Sequence, residues 1–305
     1  MRVTYPAGRS EGCFRSMSAT KRNQPSGEPA ALSERQRQVL LLLDALGGRA
    51  SDRDFATLLF LYCQESAAGA LYEFVPGPSS PRSFTADADR RKLTERALLT
   101  ADDHEWRLTR EGRAAASPAH DLVLDAFVQR ETLRGEALVA DAYRRFPDYA
   151  PGHVYRNTNA APLSTIGYEG RSLERYLNLL LRSGVTLLCD VRRNPFSRKW
   201  GFSKNTLATG CEAVGIRYES LPELGISAEK RHAVESEQDR DALFADYERH
   251  TLPQASAAID QVRDWIGAGE RVALTCYELD PRDCHRSRLA AAVIRRAKLE
   301  AAVNL

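Results

Sequence analysis

The stretch Thr275–Leu289, TCYELDPRDCHRSRL, carries the pattern that decides the fold. The apolar run Arg271–Cys276 ahead of it reads as a strand, the Pro- and Asp-rich middle as a loop, and Asp283–Ala297 as a helix. A second stretch repeats the grammar. Asp190–Lys204, DVRRNPFSRKWGFSK, follows the apolar run Val185–Val191 and sets five Lys/Arg side chains against one Asp. Two strand-to-loop passages of this kind predict two loops meeting at one edge of a parallel sheet around an anionic ligand.

Working outward, strand and helix alternate through this half of the chain. Leu163–Gly167 predicts a strand, Ser172–Arg182 a helix with Leu173, Tyr176, Leu177 and Leu180 on one face, Ser203–Val214 a helix, and Ile216–Leu221 a strand. Asp239–Ile266 predicts one or two helices broken at Pro253, and Ala301–Asn304 a last edge strand. Alternation of this kind gives an α/β class, a Rossmann-like parallel sheet with helices on both faces, over residues 163–305. Such sheets bind ligands outside the carboxyl ends of their strands.

The N-terminal half differs. Ser33 is placed to cap a helix carrying Val39, Leu40, Leu42, Leu43 and Leu46, which Gly47-Gly48 ends. A second helix follows Ser51 or Asp52, a third is predicted over Ser83–Leu98, and Leu98-Leu99 with Trp106–Thr109 has the pattern of a short hairpin. Three helices and a two-stranded wing predict a smaller winged helix-turn-helix-like domain over 32–116, with Arg90, Arg91, Lys92 and Arg96 as candidate DNA contacts. Residues 1–31 read as a flexible extension, and 117–162 as a helical linker that bridges the two domains, its turn-rich end running from Asp148 to Pro162.

Composition bounds the function class. With 305 residues, 43% hydrophobic and 28% charged, the chain can build a sizeable core. A net charge of +2 leaves any case for a polyanionic partner to local clusters. No window is long and apolar enough for a membrane helix. Six cysteines scattered along a chain of this length are not a disulfide framework, which predicts a reducing, cytoplasmic setting.

The motifs STIGYEGRSLE, DVRRNPFSR..GFSK, RYESLPELG and CYELDPRDCHRS, in that order, resemble the bacterial and archaeal family catalogued as domain of unknown function 488. The resemblance covers about Leu163 to the C-terminus and implies a compact Rossmann-like domain whose activity is unassigned. YEFVPGPSSPRSF and WRLTREG resemble the winged-helix extension carried by some members, with Ser79-Ser80 in place of an aromatic-glycine pair.

Two chemistries follow from the residues at the predicted rim. Arg192, Arg193 and Arg286, with Lys204, suit capture of phosphate or carboxylate. Cys276 and His285, with Asp190, are the candidates near a reacting atom. Glu169 and Glu223, after the first and third strands, are placed to bind a ribose hydroxyl or act as a base. Cys276 to Arg282 has the C-x5-R spacing of phosphatase loops, but Glu278 and Asp280 inside it would repel phosphate. The adjacency of Cys284 and His285 argues against a shared metal ion, so no metal is expected. The fingerprint GxGxxG is missing after the first strand, so no dinucleotide cofactor is expected. The expectation is a protein acting on a phosphorylated ligand, nucleotide or nucleic-acid end, with its status as an enzyme open. The alternative is a ligand-sensing regulator that uses the winged helix on DNA.

Overall fold

A computed structural model of the protein describes residues 31–65, 71–102, 104–116, 121–150, 160–232 and 235–305. Residues 1–30 of the expected extension, and 117–120 and 151–159 of the expected linker, lie outside the described residues.

Helix α1 (Glu34–Ala45) begins at a capping box in which the Ser33 hydroxyl accepts from the Gln36 N–H and the Gln36 side chain accepts from the Ser33 N–H, both at 3.2 Å. It is followed by β1 (Arg49–Ser51), α2 (Asp52–Glu65), α3 (Phe84–Glu95), β2 (Glu105–Arg107), α4 (Arg110–Ala116), α5 (Leu122–Arg130) and α6 (Gly135–Arg145). The predicted hairpin is present, the Thr100 N–H donating to the Arg107 carbonyl at 3.0 Å and the Thr109 N–H to the Leu98 carbonyl at 3.1 Å, and it gains a further strand. β2 pairs antiparallel with β1, Ala50 opposite Trp106, and Leu99 meets Leu108 in a single bridge. Trp106 explains the added strand. Its ring stacks on Phe55 at 4.2 Å and its Nε1–H donates to Asp52 at 2.8 Å, which draws the strand to the start of α2. The third helix stops at Glu95, short of the predicted Leu98, because Ala97 adopts φ +56°. The predicted bridging helix is two helices that fold back on the N-terminal half, α5 against α1 and α6 against α2.

The second half runs β3 (Leu163–Gly167), α7 (Leu173–Arg182), β4 (Leu187–Asp190), α8 (Lys204–Ala213), β5 (Arg217–Ser220), α9 (Ala228–His232), α10 (Glu237–Asp246), a π-helical turn (Tyr247–Thr251), α11 (Leu252–Gln254), α12 (Ser256–Gly267), β6 (Val272–Cys276), α13 (His285–Ala297) and β7 (Val303–Asn304). The five strands form one sheet in the order β5-β4-β6-β3-β7, every pairing parallel. The α/β expectation holds. Leu163, Leu187, Cys189, Val272 and Leu274 pack with α12 and α13, whereas Ile166, Leu188 and Ala273 pack with α7 and α8. Both faces of the sheet are therefore covered, and the period of two along each strand assigns every side chain to one face. Among the described residues, no helix is long and apolar enough to cross a membrane.

The halves are joined through Glu174 in the first turn of α7, a fully buried carboxylate. It accepts from the Thr85 N–H at 2.7 Å and from the Ser83 and Thr85 hydroxyls at 3.2 Å each. A carboxylate from one helix thus satisfies a free amide in the first turn of another.

Candidate functional site

Because β6 lies between β3 and β4, the carboxyl ends of these three strands are side by side. Gly167 is paired in register with Cys276, and Asp190 with Thr275. The loops after β3 and β6 are laced together. The N–H groups of Tyr168 and Glu169 both donate to the Tyr277 carbonyl, at 3.1 and 3.0 Å, and Glu169 accepts from the Leu279 N–H at 3.0 Å. A Cβ at Gly167 would sit 1.8 Å from the Glu278 carbonyl oxygen, so only glycine allows this approach.

The rim carries two buried polar clusters on opposite faces of the sheet. On the side of α7 and α8, Asp190 is fully buried and Arg192 is 4% exposed. Arg192 Nε and Nη2 donate to the two carboxylate oxygens of Asp190 at 2.8 and 2.5 Å, and Nη1 donates to the Tyr168 hydroxyl and the Phe202 carbonyl at 2.8 Å each. Tyr218 donates to the same carboxylate at 2.7 Å. Burial works against the Arg192 charge, but its bonds to Asp190 outweigh that and raise its pKa further. Burial, then the Asp190 charge, pushes the Tyr218 phenol up. This guanidinium is engaged by protein partners and braces the rim.

On the side of α12 and α13, Cys276, Cys284 and His285 are buried together. Cys284 takes an extended conformation, φ −130° and ψ 137°, immediately before α13 begins at His285. The change of backbone direction brings two consecutive side chains to one point. Both sulfurs lie 3.9 Å from His285 Nδ1, while His285 Nε2 lies 3.3 Å from the Val191 carbonyl. The geometric ground for expecting no shared metal at adjacent Cys and His is thereby removed. Burial drives the Cys284 thiol pKa well up, with Cys276 adding to the effect.

The sheet brings Asp190 and Cys276 to one edge and separates their side chains by face, so the expected single pocket of Arg192, Cys276 and His285 is two clusters. Arg286, predicted to hold a ligand, is 1% exposed; it reaches the Thr165 hydroxyl at 3.4 Å and donates to the carbonyls of Glu278 and Leu279, fixing the loop after β6. Arg193 and Glu223 line a separate groove of about 390 Å³ beside Tyr247, and Lys204 is exposed at the start of α8. Of the candidate DNA contacts, Arg90 pairs with Asp52 at 2.7 Å and lies over the Trp106 ring, Arg91 and Lys92 are exposed, and Arg96 is half-buried.

An open hollow of about 350 Å³ sits above Tyr168 and Arg192 and is also lined by Phe196, Arg198, Lys199, Arg231 and Tyr277. Phe196 is 70% exposed and Tyr277 43%. From Tyr277 the aromatic rings run inward, edge-on to Tyr168 at 5.3 Å and then stacked on Phe202 at 4.4 Å. Arg198 and Lys199 make no ion pair with a described residue, and the Arg231 Nε is shut away from solvent without a hydrogen-bond partner. Sequence reading missed Arg231, Phe196 and Tyr277 as lining residues. The signal for Phe196 and Tyr277 was aromatic residues inside otherwise polar loops; Arg231 gave none.

No curated protein and no solved structure matches the chain. A family model does match, from Ser172 to Val293, so that the STIGYEG motif on β3 precedes the matched segment. Residues 172–293, and with them strands β4 to β6 and the loops that follow β4 and β6, match the model of the family described as Domain of unknown function DUF488.

Proposed function

We propose that the rim hollow binds a phosphorylated ligand bearing an aromatic base, a nucleotide or the end of a single-stranded nucleic acid. The observation that carries this reading is the company kept by the unpaired cations. Arg198, Lys199 and Arg231 border the same hollow as the exposed rings of Phe196 and Tyr277. Cations track phosphates and flat rings stack on bases with little regard to sequence. Binding is favoured over covalent chemistry there, because Cys276 and His285 belong to the opposite face of the sheet.

The test is a fluorescence-anisotropy titration of the full chain with a 5′-phosphorylated single-stranded oligonucleotide across a salt series, with duplex DNA alongside. Replacing Arg198 and Lys199 by Ala is expected to weaken binding about tenfold or more and to lower the salt slope by about 0.7 for each phosphate no longer neutralised. Tyr277→Ala is expected to cost about 1–3 kcal/mol if a base stacks there. Unchanged affinity and slope in all three substitutions would dismiss the hollow. Duplex binding that depends instead on Arg91 and Lys92 would transfer the function to the helical half.

A further inference from the structure

The cluster on the other face of the sheet points to a different chemistry. Cys276 Sγ, Cys284 Sγ and His285 Nδ1 all lie within 4.8 Å of one another, at the end of β6 and the start of α13. The Val191 carbonyl can only accept, so the 3.3 Å contact puts the imidazole proton on Nε2 and leaves the Nδ1 lone pair facing the two sulfurs. That is the arrangement of a ligating histidine held by a backbone carbonyl on its far nitrogen. Near the two thiols lies the carboxylate of Glu278, whose Oε2 is closed off from solvent without a hydrogen-bond partner.

We propose that Cys276, Cys284 and His285 bind one zinc ion, with the Glu278 carboxylate closing a tetrahedral site. Donors around a zinc ion, at about 2.3 Å for sulfur and 2.0–2.1 Å for nitrogen, stand about 3.5–3.8 Å apart. The observed sulfur-to-nitrogen separations of 3.9 Å therefore need only a small contraction. The step balances as a proton exchange. Each thiol gives up its proton to solvent as its sulfur forms a bond to the metal, the imidazole nitrogen and the carboxylate oxygen add theirs, and no oxidation state changes. The burial of Cys276, Cys284 and His285 marks a structural site. It would tie the end of β6 and the start of α13 to the loop that presents Tyr277 to the rim hollow.

The experiment uses the full chain, stripped of metal by a chelator under reducing conditions and titrated with cobalt(II) as a spectroscopic probe for zinc. Uptake of one cobalt per chain is expected, with a sulfur-to-cobalt charge-transfer band, tetrahedral d–d bands, displacement by zinc, and release of two protons on zinc binding. Cys276→Ser and Cys284→Ser are expected each to lower affinity about 100-fold and Glu278→Gln about tenfold, in the range that ligand-shell changes produce. Cys211→Ser, buried among α7 and α8, should leave it unchanged. The wild-type spectrum and proton count decide the matter even if a cysteine variant does not fold. No uptake, a cobalt spectrum lacking the thiolate band, or undiminished uptake in the Cys276→Ser/Cys284→Ser double variant would overturn the assignment.

Discussion

Arg192 owes its place to the residue two positions before it. β4 ends at Asp190, and the chain turns so that the Arg192 N–H and the guanidinium both return to that carboxylate, the N–H at 3.1 Å. With both partners buried, removing one strands the other. Arg192→Ala is expected to cost about 3–5 kcal/mol in a denaturant unfolding experiment, and replacement of Asp190 and Arg192 together by apolar residues of similar volume to restore most of it. An Arg192→Ala protein of undiminished stability that no longer binds phosphate would return this arginine to the ligand. The sequence made the cluster of charge after β4 legible, because five basic residues follow a strongly apolar run. It did not separate Arg192, which folds back, from Arg198 and Lys199, which stay free of ion pairs with the described residues, since that depends on where Tyr168 and Phe202 arrive from other elements. Cys284 and His285 failed in the opposite sense. Adjacency looked prohibitive until the extended backbone at Cys284 and the helical backbone from His285 onward turned both side chains to one side.

At the scale of elements, periodicity carried the sheet half and failed at the junction of the two halves. Strands with near-continuous apolar runs and helices with one apolar face gave the α/β alternation, because a sheet covered on both sides demands those patterns. The contact of α3 with α7 has no such signature. Glu174 looks like an ordinary acidic residue in a first helical turn, and only the approach of Ser83 and Thr85 from far along the chain makes it a buried acceptor. The neighbouring segment contributes as well, with the Asn178 side chain donating to the Phe74 carbonyl at 2.7 Å. Glu174→Ala leaves the Thr85 N–H and two hydroxyls without their acceptor, a loss of about 1–3 kcal/mol. Hydrogen exchange should locate the damage at the start of α3, with faster exchange at Thr85 and its neighbours and little change in β4 or β6. Uniform acceleration across the sheet, or none at Thr85, would mean that the contact does not hold the halves together.

Across the whole molecule, phenols that are buried or, at Tyr218, half-buried make stability sensitive to alkali. Tyr72, Tyr176, Tyr218 and Tyr247 all have their pKa raised, in each case first by burial. Their second influences differ. Tyr72 donates to the Asp89 carboxylate at 3.1 Å within the N-terminal half, Tyr176 donates to the Thr275 hydroxyl at 2.7 Å, Tyr218 faces Asp190, and Tyr247 donates to the Leu224 carbonyl at 2.7 Å beside the two cysteines. A group whose folded pKa is raised favours the folded state fully below its unfolded pKa and loses that contribution as the pH climbs toward its folded value. For tyrosine the unfolded value is about 10, so the stabilising difference is intact at neutral pH and erodes above about pH 10. Titration followed by tyrosinate absorbance should therefore show the exposed phenols ionising first, and these four only with loss of the near-ultraviolet circular dichroism of the folded state. Because Tyr72 sits in the helical half and the others in the sheet half, the same curve reports on the Glu174 junction. A single late step means that the halves unfold together, two late steps mean that they part, and ionisation of all tyrosines near pH 10 with the fold intact would refute the burial of these hydroxyls.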